Sequence, residues 1–192
     1  MSEASPLNAM AQKVIDRSLL AAVGSEVVAI IRDRTLKGIF LEGSSPGAGS
    51  YSTKPAPIPI GGLPKRAQSR VWQMLKTGDP SVRAFTNVKS RRTWVVLSGG
   101  YKQFRELAGL QTAVVNLNWS GRMMRNLSVV NLSSDSVAVG FTSPEESQKA
   151  QWHNTLGAGR SHKKHVFLGL SSAELARVGE MVEQIIREKL KA

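Results

Sequence analysis

The 192-residue chain contains no cysteine. That excludes a disulfide framework and any zinc site built on thiolates, and it suits a reducing compartment. Long apolar runs are missing too. The least polar stretch, Ser18 to Ile31, is interrupted by Glu26 and is shorter than the roughly 20 residues a membrane helix needs. Met1 to Ala9 has neither a basic start nor a long apolar core, so no secretory signal is expected. The expectation is a soluble protein with no membrane partner.

Acidic residues are scarce in one region. Ser44 to Arg125 holds 13 Lys and Arg against only Asp79 and Glu106, whereas the two flanks together hold 13 basic and 12 acidic residues. Nearly all of the overall charge of +12 therefore sits in the middle of the chain. Such a distribution belongs to a surface that faces something anionic: nucleic acid, an acidic protein partner, or acidic residues of a neighbouring subunit.

Groups that could do chemistry are few. His153, His162 and His165 are the only histidines, and His162-x-x-His165 would need further metal ligands that the spacing does not supply. The glycine-rich run from Gly43 to Gly49 lacks the GKS or GKT ending of a phosphate loop, and Ser120-Gly121 has no G-x-S-x-G context. Glu145 and Glu146 fit a capping role better than acid/base work. No catalytic residue, metal or cofactor is expected, and a metal-dependent nuclease with scattered carboxylates is the weaker enzymatic alternative.

What is present is a hydrophobic content of 41%, enough for a real core, and one domain over 1–192 with a long excursion at 38–64 is expected. Trp119 to Thr142 is the organising stretch. Ser120 can cap a short helix from Gly121 to Asn126, Leu127 to Ser133 runs as a strand, and Ser133-Ser134-Asp135-Ser136 favours a reversal. Val137, Val139 and Phe141 then alternate with smaller or polar residues, as in a strand with one buried face. A hairpin alone is marginal, so other elements must cover it.

A first helix is predicted from Ser5-Pro6 to about Leu36, stopping at Gly38. Leu7, Met10, Val14, Ala21 and Val28 lie on one side of it, and Ile15, Leu19, Val23 and Ile30 nearly opposite. The second face meets either the chain's own sheet and loops or, by preference, another subunit. Residues 38–64, with Pro55, Pro57 and Pro59 alternating, cannot form a central strand and read as an extended arm. Deleting Gly43 to Gly61 is expected to leave the folded core.

Lys65 to Lys76 reads as a basic helix with Val71, Trp72 and Leu75 on its apolar side. Arg83 to Arg92 is a basic stretch leading into a strand at Thr93 to Leu97, and Tyr101 to Ala108 is a short helix ended by Gly109. Capping boxes at Ser143/Glu146 and Ser171/Glu174 start two later helices, with the apolar run Val166 to Leu170 between them as a return strand or plug. The last helix should lie on the sheet through Leu175, Val178, Val182, Ile185 and Ile186.

The order of several motifs resembles the tailed-bacteriophage virion morphogenesis or tail-completion proteins. These motifs are RDRTLKGIFLEG at the end of the first helix, YSTKP, VVLSGGYKQFRELAG, VNLNWSGRMMRNLSV, the hairpin SDSVAVGF and HVFLGLSSAELARV. The matching positions are Tyr101, Arg105, Gly121, Arg122, Met123 and the run Phe167 to Leu170. The resemblance implies an α+β fold: a small antiparallel sheet with a central hairpin, covered by a long N-terminal helix and a C-terminal helix, plus the Gly/Pro-rich arm. It also implies a virion protein of the neck, assembled in the host cytoplasm and without an active site. Copies would form a ring at the head-tail junction, beside portal-side, neck and tail proteins, completing or joining the tail to the DNA-filled head.

On this reading Val14, Ala21 and Val28 of the first helix, with Tyr51, Pro55, Pro57 and Pro59 of the arm, make the subunit contacts. Lys89, Arg91, Arg92, Arg122 and Arg125 face packaged DNA or an acidic partner, with Trp94 and Trp119 nearby in sequence. The alternative function is a sequence-independent DNA-binding protein whose contacts go to backbone charge.

Overall fold

In the computed structural model, which describes residues 15–45, 48–118, 120–157 and 162–191, the chain has an α+β fold. In chain order the elements are α1 (Arg17–Leu36), β1 (Ala56–Pro59), α2 (Lys65–Thr77), β2 (Val82–Asn87), β3 (Arg92–Leu97), α3 (Gly100–Leu107), α4 (Arg122–Asn126), β4 (Leu127–Leu132), β5 (Val137–Phe141), α5 (Pro144–Gln151) and α6 (Ser172–Lys191). They fall into two compact units. The first is built from residues up to 48 and from 116 onward, the second from 49 to 115. Each has its own apolar cluster and its own antiparallel sheet, so the expected single sheet is two: β1-β3-β2 in the second unit and β4-β5 in the first.

In the first unit the hairpin forms as its alternation predicts, with Leu127 opposite Phe141 and a bulge at Val130 between Val129 and Asn131. The short helix before it starts one residue later than expected. Gly121, at φ +73°, is the N-cap, and the Ser120 hydroxyl accepts from the Arg122 N–H at 3.4 Å. A left-handed cap suits glycine, and a side chain there would also strike the Arg125 guanidinium.

α1 begins at Arg17, where the Asp16 carboxylate caps the free Leu19 N–H at 2.9 Å. The predicted start at Ser5-Pro6, with Leu7, Met10 and Val14, lies outside the described residues. The helix ends just before Gly38, as expected. It is buried on two sides, both by its own chain. On one side Val28 and Ile31 join Met123, Met124, Leu127 and Phe167 in the core, and Gly24 lies against Val129 and Val137 of the hairpin. The interface assigned to Val28 is thereby overturned, because the side chain is spent on the core of its own unit. Ala21 is half-buried.

On the other side lies α6, running antiparallel. Its position is fixed by Lys189 against Asp16 at 2.6 Å, Arg177 against Glu26 at 2.6 Å, and Glu174 against Arg34. Leu19 and Ile30 are buried on this side, at the i+3 and i+4 spacing from Asp16 and Glu26. The C-terminal helix therefore covers the first helix, where the sequence placed it on the sheet. The apolar seam dominates this contact: a fully buried Leu or Ile contributes about 1.5–3 kcal/mol, whereas a pair as exposed as Arg177–Glu26 contributes about 0.2–1 kcal/mol.

The start of α6 is locked by a buried network. Glu174 accepts from the Ser171 N–H at 2.7 Å and the Ser171 hydroxyl at 2.9 Å, closing the predicted capping box. Arg34 donates to Glu174, to the Phe167 carbonyl at 2.6 Å and to the Gly169 carbonyl at 3.0 Å. Burial alone would raise the Glu174 pKa, but the Ser171 bonds and the Arg34 charge hold it below the ordinary carboxylate value. The other capping box does not form. Ser143 makes no side-chain cap, and Glu146, 1% exposed, pairs instead with Lys149 at 2.9 Å. Phe167 is fully buried, so Val166 to Leu170 serves as the plug of the two readings.

In the second unit β3 is the central strand and both neighbours are edges. The predicted arm is not structureless, since 56–59 form β1 and Ile60 and Leu63 enter the core. Prolines fit because β1 is an edge. In antiparallel pairing alternate residues exchange bonds with the partner, so Ala56 and Ile58 can bond to β3 while Pro57 and Pro59 turn their missing N–H outward. Removing Gly43 to Gly61 would take β1 with it, so the expectation that this deletion spares the core is overturned. Strand β2, which the sequence left as an irregular basic stretch, pairs along its whole length with β3.

The inner sheet face, Val82, Val95 and Leu97, packs on Ala67 and Val71 of α2 and on Phe104 and Leu107 of α3. Trp72 is exposed, off the side where the sequence placed it. Gly100, at φ +61°, lets residues 53–54 cross α3 closely, since a Cβ there would sit 2.2 Å from the Lys54 carbonyl oxygen.

Two substitutions test this packing. In Gly24→Ala the added Cβ would meet Val129 and Val137 methyls at 2.6 and 2.7 Å. Overpacking at about 1–3 kcal/mol should outweigh the helix-propensity gain of about 1 kcal/mol. Urea denaturation should show a net loss that shrinks when Val129→Ala is added. Arg34→Met leaves Glu174 without its cation and should cost about 3–5 kcal/mol by the same measurement.

Candidate functional surface

Paired residues of an antiparallel sheet share a face, so the register of the second unit's sheet fixes its outer surface. Pro57, Val96 and Arg83 form one row, Pro59, Trp94 and Phe85 the next, and Arg92 and Asn87 the last. The inner residues went to the core, which leaves this face to carry two aromatic rings and two arginines. Phe85 stacks on Trp94 with ring centroids 6.5 Å apart and an interplanar angle of 17°. Phe85 stays 45% exposed. Trp94 is half-buried beside it, and its Nε1–H is buried without an acceptor among the described residues. Trp94 thus works as a backing for Phe85. Exposed Trp72 of α2 lines a groove at the end of the sheet with Pro59, Arg92 and Thr93.

The hairpin between β2 and β3 adds charge. The Asn87 side chain accepts from the Ser90 N–H at 3.1 Å, which tightens the turn, and Arg91 occupies a left-handed conformation at φ +51°. Arg83, Lys89, Arg91 and Arg92 are all exposed, and none of them forms an ion pair among the described residues. The whole unit carries eleven Lys and Arg against two acids, Asp79 and Glu106. Asp79 is engaged by the Ser81 N–H at 2.8 Å; its hydrogen bonds with Ser81 hold it below the ordinary carboxylate value.

Of the five predicted cations, three share this hairpin. Lys89, Arg91 and Arg92 are together, but Arg122 and Arg125 belong to the other unit and are engaged there. Arg122 lies 3.9 Å from Glu146, and Arg125 donates to the Ser120 carbonyl at 2.9 Å. Trp119 lies outside the described residues. Arg83 and Phe85 were missed because β2 itself was missed. The available signal was Val82, Ala84 and Thr86 alternating with Arg83, Phe85 and Asn87, a weak period-2 pattern because only Val82 is strongly apolar.

Among the arm residues, Tyr51 is held by its own unit. The Arg105 guanidinium sits 4.4 Å from the centre of the Tyr51 ring, and Tyr101 packs on Tyr51 with centroids 5.8 Å apart. Arg105 is only 2% exposed and also donates to the Gln111 carbonyl at 3.1 Å. Tyr101 and Arg105, two of the positions that carry the family resemblance, therefore fasten the segment around Tyr51. Tyr51 itself stays half-buried. Pro55 is exposed, and Pro57 and Pro59 are half-buried on the outer face.

The histidines pair differently from their sequence spacing. His153 and His165, not His162 and His165, come together, with their Nδ1 atoms 3.4 Å apart and the His165 N–H donating to the His153 carbonyl at 2.7 Å. Phe40 packs edge-on against His165 with centroids 5.1 Å apart. Burial, then the charge of His165, pushes His153 down to about 4; burial and then Lys163 lower His165. Two neutral rings sharing one proton are a structural contact. Among the described residues no group of three or more His, Asp or Glu is placed to hold a metal ion, and no helix is long and apolar enough to cross a membrane.

Comparison with protein-family models, curated proteins and solved structures found no match to this chain.

The histidine pair sets a pH dependence. Its folded-state pKa values lie below the unfolded value near 6.5, so its contribution is complete above pH 6.5 and is lost as pH falls toward about 4. Urea denaturation should show stability dropping by about 1–3 kcal/mol across that window. His153→Gln should flatten the limb between about pH 6.5 and 5, above the range where carboxylates titrate.

Proposed function

We propose that this protein is a non-enzymatic structural component of a tailed-phage neck, acting as a closed ring of identical subunits that completes the tail or joins it to the DNA-filled head. The motif order that resembles the virion morphogenesis and tail-completion proteins supports this reading. So does an uneven surface that leaves large apolar side chains outside both cores.

The observation that carries the oligomer is a patch in the first unit. Where the end of α1 meets the start of α6, Leu36, Ile39 and Leu175 are exposed. Ile39 lines a groove whose apolar members are Phe40, Leu41, Val166 and Leu170 and whose charged rim is Asp33, Arg34, Lys37, Glu42 and Glu174; Leu36 and Leu175 adjoin lining residues in sequence. Large apolar side chains left exposed in one region are a mark of a contact surface. With Val28 committed to the core, the subunit contact moves from the middle of the first helix to its end. A heterologous contact of this kind closes into a ring when its rotation closes.

The purified chain is expected to sediment as a high-mass species. The double variant Ile39→Asp, Leu175→Asp should shift it to monomers with unchanged far-UV circular dichroism, because neither side chain is in a core. In infected cells, loss of the protein should leave full heads and finished tails unjoined under the electron microscope. A monomeric wild type, or normal particles without the protein, would overturn the proposal.

A further inference from the structure

The outer face of the second unit's sheet is built unlike the apolar patch of the first unit. It combines an exposed aromatic ring, a rigid aromatic backing and unpaired cations, with no acid on either strand or on the turn between them. We propose that this face binds single-stranded nucleic acid, with phosphates on Arg83, Lys89, Arg91 and Arg92 and a base stacked on Phe85.

The chemistry of both halves points the same way. A polyanion is favoured by a unit of net charge +9 whose hairpin cations form no ion pair among the described residues. An acidic protein would satisfy the charges, but it gives no reason for a flat ring among them. Phe85 on Trp94 supplies that reason: its free face is a platform on which any base can stack, and Trp94 holds it in place. Arg83 and Arg92 lie on the same sheet face, one row to each side of the Phe85–Trp94 row. A chain of phosphates running along the strands can therefore meet a cation before and after the stacked base. Trp72, on α2, shares a groove at the end of the sheet with Arg92 and Pro59. In duplex DNA the bases are already stacked on one another and offer Phe85 nothing, so only the phosphate contacts would remain.

This inference does not rest on the ring. Sedimentation decides the oligomer, and nucleic-acid binding decides the face.

The test is fluorescence anisotropy of a labelled 20-mer oligothymidylate and a mixed-sequence 20-base-pair duplex against the full chain, from about 50 to 300 mM salt. For single strands, log K is expected to fall with log salt with a slope of about −3, as four phosphate contacts at about 0.7 each give. Arg83→Gln with Arg92→Gln should reduce that slope by about 1.4. Phe85→Ala should weaken single-strand binding about tenfold and leave the duplex unchanged, with its fold checked by circular dichroism and thermal melting. Phe85→Trp should keep single-strand binding, which a purely structural role for the ring would not require. Absence of binding at 50 mM salt would overturn the proposal, as would insensitivity to salt. Competition by polyglutamate as effective as by oligothymidylate of equal charge would make the face an acidic-protein site. Equal losses on both probes in Phe85→Ala would remove the stacked base.

Discussion

The first unit depends on Arg34. A buried guanidinium is tolerated when its charge is matched and most of its donors are used. Here two neighbouring pieces of chain take both terminal nitrogens, and only the Nε–H lacks an acceptor among the described residues. The Phe167 and Gly169 carbonyls fix the plug, and the Glu174 carboxylate fixes the first turn of α6. Arg34 itself sits at the end of α1, so the two long helices and the segment between hairpin and C-terminus are tied at one point. Each partner is satisfied only in this arrangement. That is why α6 runs antiparallel along α1 and why Leu19 and Ile30 find cover within their own chain.

The second unit is held by a thinner device. A three-stranded sheet has one face for its core, and α2 and α3 pack on that face around Val82, Val95 and Leu97. The other face must then meet water or a partner, and its composition suits neither a dry core nor an ordinary solvated surface. Arg105 is the unit's counterpart to Arg34: buried, engaged by a carbonyl and by the Tyr51 ring, and fastening a segment that would otherwise lie loose. The contrast between these two arginines and the exposed ones on the hairpin is physical. A cation drawn into the structure takes partners there, whereas Arg83, Lys89, Arg91 and Arg92 stay exposed and form no ion pair among the described residues.

Particular elements show how far the sequence reaches. The hairpin at 127–141 was legible because alternation and a run of turn-forming serines coincide. The capping box at Ser171/Glu174 was legible because both partners lie within one turn. Its twin at Ser143/Glu146 has the same letters and no bond, since Lys149 and burial claim Glu146 first. Strand β2 was hidden because its inner face is nearly as polar as its outer one. Without β2 the pairing of Phe85 with Trp94 could not be seen. The meeting of His153 and His165 was equally hidden, since the spacing that draws the eye is His162 to His165.

The sequence by itself determined the central hairpin, most of the helices and the concentration of positive charge between the flanks. Those depend on backbone and side-chain chemistry within a few residues. Only the tertiary structure decided which apolar face meets which surface, that there are two cores, and which cations stay free. Apolar attraction has no direction of its own, so a helix stripe fits a sheet, another helix or a neighbouring subunit equally well until the buried polar groups, here Arg34 and Glu174, select one arrangement.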